Sequence, residues 1–172
     1  MQTIIAARPT SNIATEITDS RLPARLHVHT VQASIERTTK KMLRGSCCCG
    51  EVEFTVSDSP TMMGTCHCRR CRKIGASTFV FVKREWFTLV TGEDSITTHK
   101  PAAPYTYNRC FCSSCGTSLG EITSGGDSFP IPANCFDDEL AITNRFHEFV
   151  KEKPSWYKIC DEAKQFEGHP HN

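Results

Sequence analysis

The feature that most constrains this chain is the hexapeptide Cys66-His67-Cys68-Arg69-Arg70-Cys71, which places three thiols within six residues. So short a segment can bring three sulfurs to one metal ion. A Cys-x-Cys pair precedes it at Cys47 and Cys49, and a Cys-x-x-Cys pair follows at Cys112 and Cys115. Structural zinc takes four protein ligands, whereas catalytic zinc usually takes three and keeps a position open. Groups of two, three and two therefore partition into one closed site and one open site. In that reading Cys47, Cys49, Cys112 and Cys115 clamp distant strands through one ion, and Cys66, Cys68 and Cys71 hold a second. His67, His99 and Cys110 are the donors that could close the second site. Four thiolates suit iron as well as zinc, and zinc is preferred because nothing in the chain suggests an electron-transfer partner.

The total of 11 cysteines in 172 residues also raises a disulfide framework. That alternative needs a secretory route and normally a smaller domain. The first thirty residues lack the apolar segment of a secretory signal. An odd total leaves one thiol unpaired, and a bridge across Cys-x-Cys closes a very tight ring. Metal binding is the better reading. Cys48, between two proposed ligands, is expected to point away from the ion as a free thiol.

A chain with 38% hydrophobic and 23% charged residues can bury one core, which predicts one domain with a tail. The net charge of +1 provides no strong field for nucleic acid or an anionic membrane, and no apolar run is long enough to span a bilayer. These features point to a small-molecule substrate and a cytoplasmic protein. Basic residues outnumber acidic ones in the first 42 positions, as in a mitochondrial transit peptide, but Glu16, Asp19 and Glu36 count against one.

Residues 1–42 carry Pro9 and Pro23 and sustain no helical period, so they read as a flexible extension, with one short strand over Leu26–Val31. From Leu43 the pattern tightens. Strands are expected over Glu51–Val56, Thr78–Val82, Trp86–Val90, Ser95–His99, Ser118–Ile122, Phe129–Ile131 and Arg145–Val150. Pro60 and Gly64 read as breakers before the central cluster, and Gly125-Gly126-Asp127 as the turn of a hairpin. Gly116 fits the tight turn of a zinc knuckle. Trp156, Ile159, Ala163 and Phe166 recur near helical spacing, which predicts a short C-terminal helix or turn. Both tryptophans and the ten phenylalanines are assigned to the core rather than to a substrate box.

Three thiolates make an electron-rich site that suits a soft sulfur ligand, which points toward thiol chemistry. Arg69, Arg70, Arg72 and Lys73 surround it with positive charge, either to receive an anionic substrate or as a solvated face. His67, or a basic residue near it, is the candidate for moving a proton. His67, Arg69 and Arg70 are thus the candidate substrate-binding residues.

The order Gly45-Ser46-Cys47-Cys48-Cys49-Gly50, the central hexapeptide, Phe111-Cys112-Ser113-Ser114-Cys115-Gly116 and Lys153-Pro154-Ser155-Trp156-Tyr157 resembles the glutathione-dependent formaldehyde-activating enzyme family, which includes centromere protein V. The resemblance spans residues 43–167 and leaves 168–172 as a tail. It implies a mainly β, β-tent fold with two Zn2+ ions: a structural ion on Cys47, Cys49, Cys112 and Cys115, and a catalytic ion on Cys66, Cys68 and Cys71. It further implies a carbon-sulfur lyase activity like that of S-(hydroxymethyl)glutathione synthase, with glutathione or another thiol as the small-molecule partner. Two alternatives keep the same fold: a hydrolase or dehydratase acting on a specialised metabolite, and a non-catalytic zinc-stabilised binding module.

Overall fold

The computed structural model describes residues 41–75, 77–103, 105 and 107–170. The expected strand at Leu26–Val31, and all of the leader but Lys41 and Met42, lie outside the described residues. The protein is mainly β, as expected, and its cysteine clusters are compatible with a zinc-binding fold. Among the described residues, eleven strands form three sheets: β1 (Leu43–Ser46), β2 (Glu53–Val56) and β5 (Phe87–Thr91) make the first; β11 (Lys164–Gln165), β10 (Phe146–Glu148), β3 (Met63–Cys66), β4 (Thr78–Lys83) and β9 (Ser128–Pro132) make the second; β6 (Ile96–His99), β7 (Arg109–Cys112) and β8 (Ser118–Gly120) make the third.

Alternation explains which faces meet. On β2, Phe54 and Val56 point into the core, as their period of two requires. Val80 and Val82 on β4 join Phe129 and Ile131 on β9, all four with no exposed surface. Leu119 and Cys110 bring in the third sheet, so one core is shared by all three. Burying side chains of this size contributes about 1.5–3 kcal/mol each.

Several expectations are corrected. Gly64 does not break the chain but lies inside β3, where the ring of Phe146 occupies the space a side chain would fill, so an added Cβ would clash with that ring. The central cluster therefore begins on a strand of its own, and its remaining cysteines sit on or beside a one-turn helix, α1 (Arg69–Lys73), which five residues with no apolar period did not announce. Ser118–Ile122 and Phe129–Ile131 are not a hairpin, because β8 pairs with β7 while β9 pairs with β4. Of the short helix or turn expected over residues 154–166, the chain takes the turn. A turn at Ser155–Trp156 is followed by an extended segment ending in β11. Lys153 Nζ donates to the carbonyls of Pro154 and Tyr157, holding that turn. Trp156 is consequently 78% exposed rather than a core residue.

Candidate functional site

The four outer cysteines meet where two sheets join. Cys47 follows β1 of the first sheet and Cys112 ends β7 of the third, so one ion here would tie the two together. Their Sγ atoms, with those of Cys49 and Cys115, lie within 4.8 Å of one another. Cys47 and Cys49 are 3.4 Å apart, and Cys49 and Cys112 3.7 Å. Each pair sits in a tight turn. Cys47 N–H bonds to Val52 O, and Gly116, with φ of 73°, closes the second turn onto Cys112 O. The Val52 N–H also points at Cys47 Sγ, at 3.3 Å, a contact that favours a thiolate. Cys48 is exposed and stands outside the cluster, as expected.

The central cysteines form the second group, also with sulfurs within 4.8 Å of one another. Cys66 ends β3, Cys68 caps α1 and Cys71 lies within it. Cys66 and Cys71 are buried, and Cys68 is half-buried. The Cys68 sulfur accepts from the thiols of Cys66 and Cys71, which pulls its pKa down to about 2, while the same hydrogen bond pushes Cys66 well up. Among the described residues no fourth His, Cys, Asp or Glu joins this group. The three donors open onto a cavity of about 1300 Å³, lined by Cys66, Cys68 and Cys71. A soft, closely spaced thiol set of this kind fits a zinc-like ion at both places.

Of the charged candidates, Arg69 and Arg70 line the cavity and Arg72 does not. The Arg70 guanidinium lies 4.3 Å over the Tyr105 ring and donates to the Tyr107 carbonyl at 3.1 Å. Arg72 turns back to the His67 carbonyl. His67 is buried and is not among the residues lining the cavity. Its buried ring donates from Nε2 to His147 Nδ1 at 2.8 Å, and His147 Nε2 in turn donates to Asp161 Oδ1 at 3.0 Å. Burial lowers the His67 pKa, with help from nearby His147, so the ring stays neutral. The His67–His147–Asp161 chain ties the loop between Cys66 and Cys68 to β10 and to Asp161, which itself lines the cavity. Of the other two candidate closing donors, Cys110 is buried and bonded to Thr98 and Thr123, and His99 ends β6.

Two residues were missed by sequence reasoning. Arg109 on β7 places Nη2 3.4 Å from Cys71 Sγ and Nη1 3.7 Å from Glu121 Oε1. Its buried Nε has no hydrogen-bond partner among the described residues. Glu121 lines the same cavity with only 5% of its side chain exposed. Burial pushes its pKa up to about 7, against the pull of Arg109 and Arg70. Gly120, with φ of 72°, delivers it: any side chain there would strike the Pro130 carbonyl, toward which Glu121 N–H donates. The available signal was a carboxylate inside an otherwise apolar strand segment. For Arg109 the sequence held none.

A mainly β domain with two cysteine clusters, one between sheets and one on a cavity, defines a class of β protein whose thiols could hold metal ions. The family model of the glutathione-dependent formaldehyde-activating enzyme matches residues 42–152, and the chain belongs to that family. A Halomonas elongata protein named for the same family is 29% identical over 147 residues, covering 75% of this chain and 89% of its own. A crystal structure of a Rhodobacter sphaeroides protein superposes with a TM-score of 0.48 at 21% identity, covering 57% of this chain and 91% of the other. No helix among the described residues is long and apolar enough to cross a membrane.

Proposed function

We propose that this protein is a zinc-dependent enzyme of the carbon-sulfur lyase type, joining a thiol such as glutathione to an aldehyde and reversing that step. One observation carries the reading: three converging thiols, without a fourth donor among the described residues, form part of the wall of a large cavity. Cys66, Cys68 and Cys71 would hold the catalytic ion, which when bound supplies a Lewis acid and an affinity for sulfur. Cys47, Cys49, Cys112 and Cys115 would hold a structural one. That makes two Zn2+ per chain.

The chain's own residues supply the rest. Arg69 and Arg70 at the cavity wall attract the carboxylates of a thiol such as glutathione. Glu121 handles the proton. In the joining direction the carbon-sulfur bond forms as the carbonyl π pair moves to oxygen, and protonated Glu121 gives that oxygen its proton. The thiol's own proton has by then left to solvent, and Glu121 recovers one from solvent afterwards. In the reverse direction ionised Glu121 takes the hydroxyl proton as the carbon-sulfur bond breaks. A pKa of about 7 suits both duties near neutrality. His67 is left the task of bracing the loop rather than touching substrate.

The test is metal quantification of purified protein, followed by NMR exchange between formaldehyde hydrate and S-hydroxymethylglutathione. Two zinc ions per chain and exchange faster than the uncatalysed rate are expected. One zinc per chain, with no acceleration for any thiol and aldehyde, would make the central cluster a scaffold and the protein a binding module.

A further inference from the structure

The strand β4 reads Thr78-Phe79-Val80-Phe81-Val82-Lys83, apolar on both faces. Its valines account for the core side. The other face carries Phe79 and Phe81, both half-buried, and the strand register shows what else shares it. Directly paired residues in a sheet project to the same side, as do residues two apart on one strand. Phe79 pairs with Gly64 and with Pro132, and Phe81 pairs with Pro130. On the far side of β3, Phe146 also pairs with Gly64. Gly64 and Cys66 are two apart, so the aromatic surface and the Cys66 thiol belong to one face of one sheet.

That face is the cavity wall. Phe79, Phe81, Phe146 and Phe166 all line it. Their rings meet edge to face, with centroids 5.4 Å apart for Phe79 and Phe81 and 6.4 Å for both Phe79–Phe146 and Phe146–Phe166. The missing Gly64 side chain leaves the space that the Phe146 ring fills beside the thiol. Phe149, at the end of β10, also lines the cavity with φ of 55°, a conformation uncommon for a bulky residue and often retained at ligand sites. A one-carbon aldehyde touches almost none of this surface, and glutathione is too polar to need it.

We infer that the electrophile handled at Cys66, Cys68 and Cys71 is an aldehyde with an aromatic or medium-length alkyl body, which lies along Phe79, Phe81 and Phe146. This rests on the proposed thiol-aldehyde chemistry and adds the substrate class to it. The carbonyl end meets the thiol cluster, and the apolar body covers the phenylalanine face. That arrangement orients the carbonyl and removes water from the ring surface in one step.

The zinc-loaded full-length protein is assayed with glutathione against formaldehyde, hexanal and benzaldehyde. Benzaldehyde and hexanal should each show kcat/KM at least tenfold above formaldehyde, and Phe81→Ala should bring that ratio toward one. Turnover of formaldehyde equal to or better than the larger aldehydes overturns this inference and leaves the proposed function standing. No turnover of any aldehyde takes down both. Binding supplies a readout independent of turnover and of how well Phe81→Ala folds: by calorimetry on the unaltered protein, S-benzylglutathione should bind at least tenfold tighter than S-methylglutathione. Equal affinities overturn the inference.

Discussion

The two cysteine clusters offer the same sulfur chemistry in opposite surroundings. Cys47, Cys49, Cys112 and Cys115 come two each from the turns that join strands of two different sheets, and Cys49 and Cys112 are 63 positions apart in the chain. Cys66, Cys68 and Cys71 come from one strand end and one helical turn, and they face a cavity. An ion in the first place would close a long loop and hold sheets together, whereas one in the second would hold only a local segment. The lesson is that sequence separation between ligands, more than their chemistry, decides how much folding energy a metal site carries.

The sharpest way to break that contrast is to remove one ligand from each cluster. Cys112→Ser should lower stability by more than about 4 kcal/mol, because the sheet junction loses its clamp. Cys68→Ser should cost more than about a hundredfold in turnover while stability falls by less than about 2 kcal/mol. Denaturant titrations and metal counts on both variants decide the matter, and equal destabilisation would show both clusters to be structural.

Glu121→Gln sharpens the functional half. Turnover should drop on the order of a hundredfold, the usual worth of a positioned acid-base group. In the unaltered protein the joining rate should fall as pH rises through about 7, since the acid form of Glu121 is then lost. A flat pH-rate profile across that range would remove Glu121 from the mechanism.

The same residue predicts a pH dependence of stability. Its folded pKa is raised, so between the ordinary value of 4.5 and about 7 the unfolded chain gives up the proton first, and the folded state loses ground as pH rises. The penalty is complete above about 7 and amounts to about 3 kcal/mol. Unfolding midpoints of the unaltered protein and Glu121→Gln should diverge across that window and run parallel on either side. The smallest expected effect is Cys48→Ser, an exposed thiol outside both clusters, which should change stability by less than about 0.5 kcal/mol and leave the metal count alone.

Spacing alone grouped the seven cysteines, because ligands within a few residues of one another have few ways to meet an ion. Alternation alone placed Phe54 and Val56 inward on β2, and it separated Val80 from Phe79 on β4, because a strand offers only two faces. What alternation could not say was which apolar face would be core and which would line a cavity. That was decided by register: β3 pairs Gly64 with both Phe79 and Phe146, a relation among residues up to 82 positions apart. Register also decided between helix and turn at the C-terminus: Trp156, Ile159, Ala163 and Phe166 have helical spacing, yet the chain turns at Ser155–Trp156 and Lys164–Gln165 pair with β10 as a strand. Arg109 and Glu121 are brought together by the pairing of β7 with β8, and they met Cys71 only when the third sheet packed against the second. Local chemistry is written in neighbouring residues, whereas the surroundings that raise a carboxyl's pKa or line a cavity are built from distant ones.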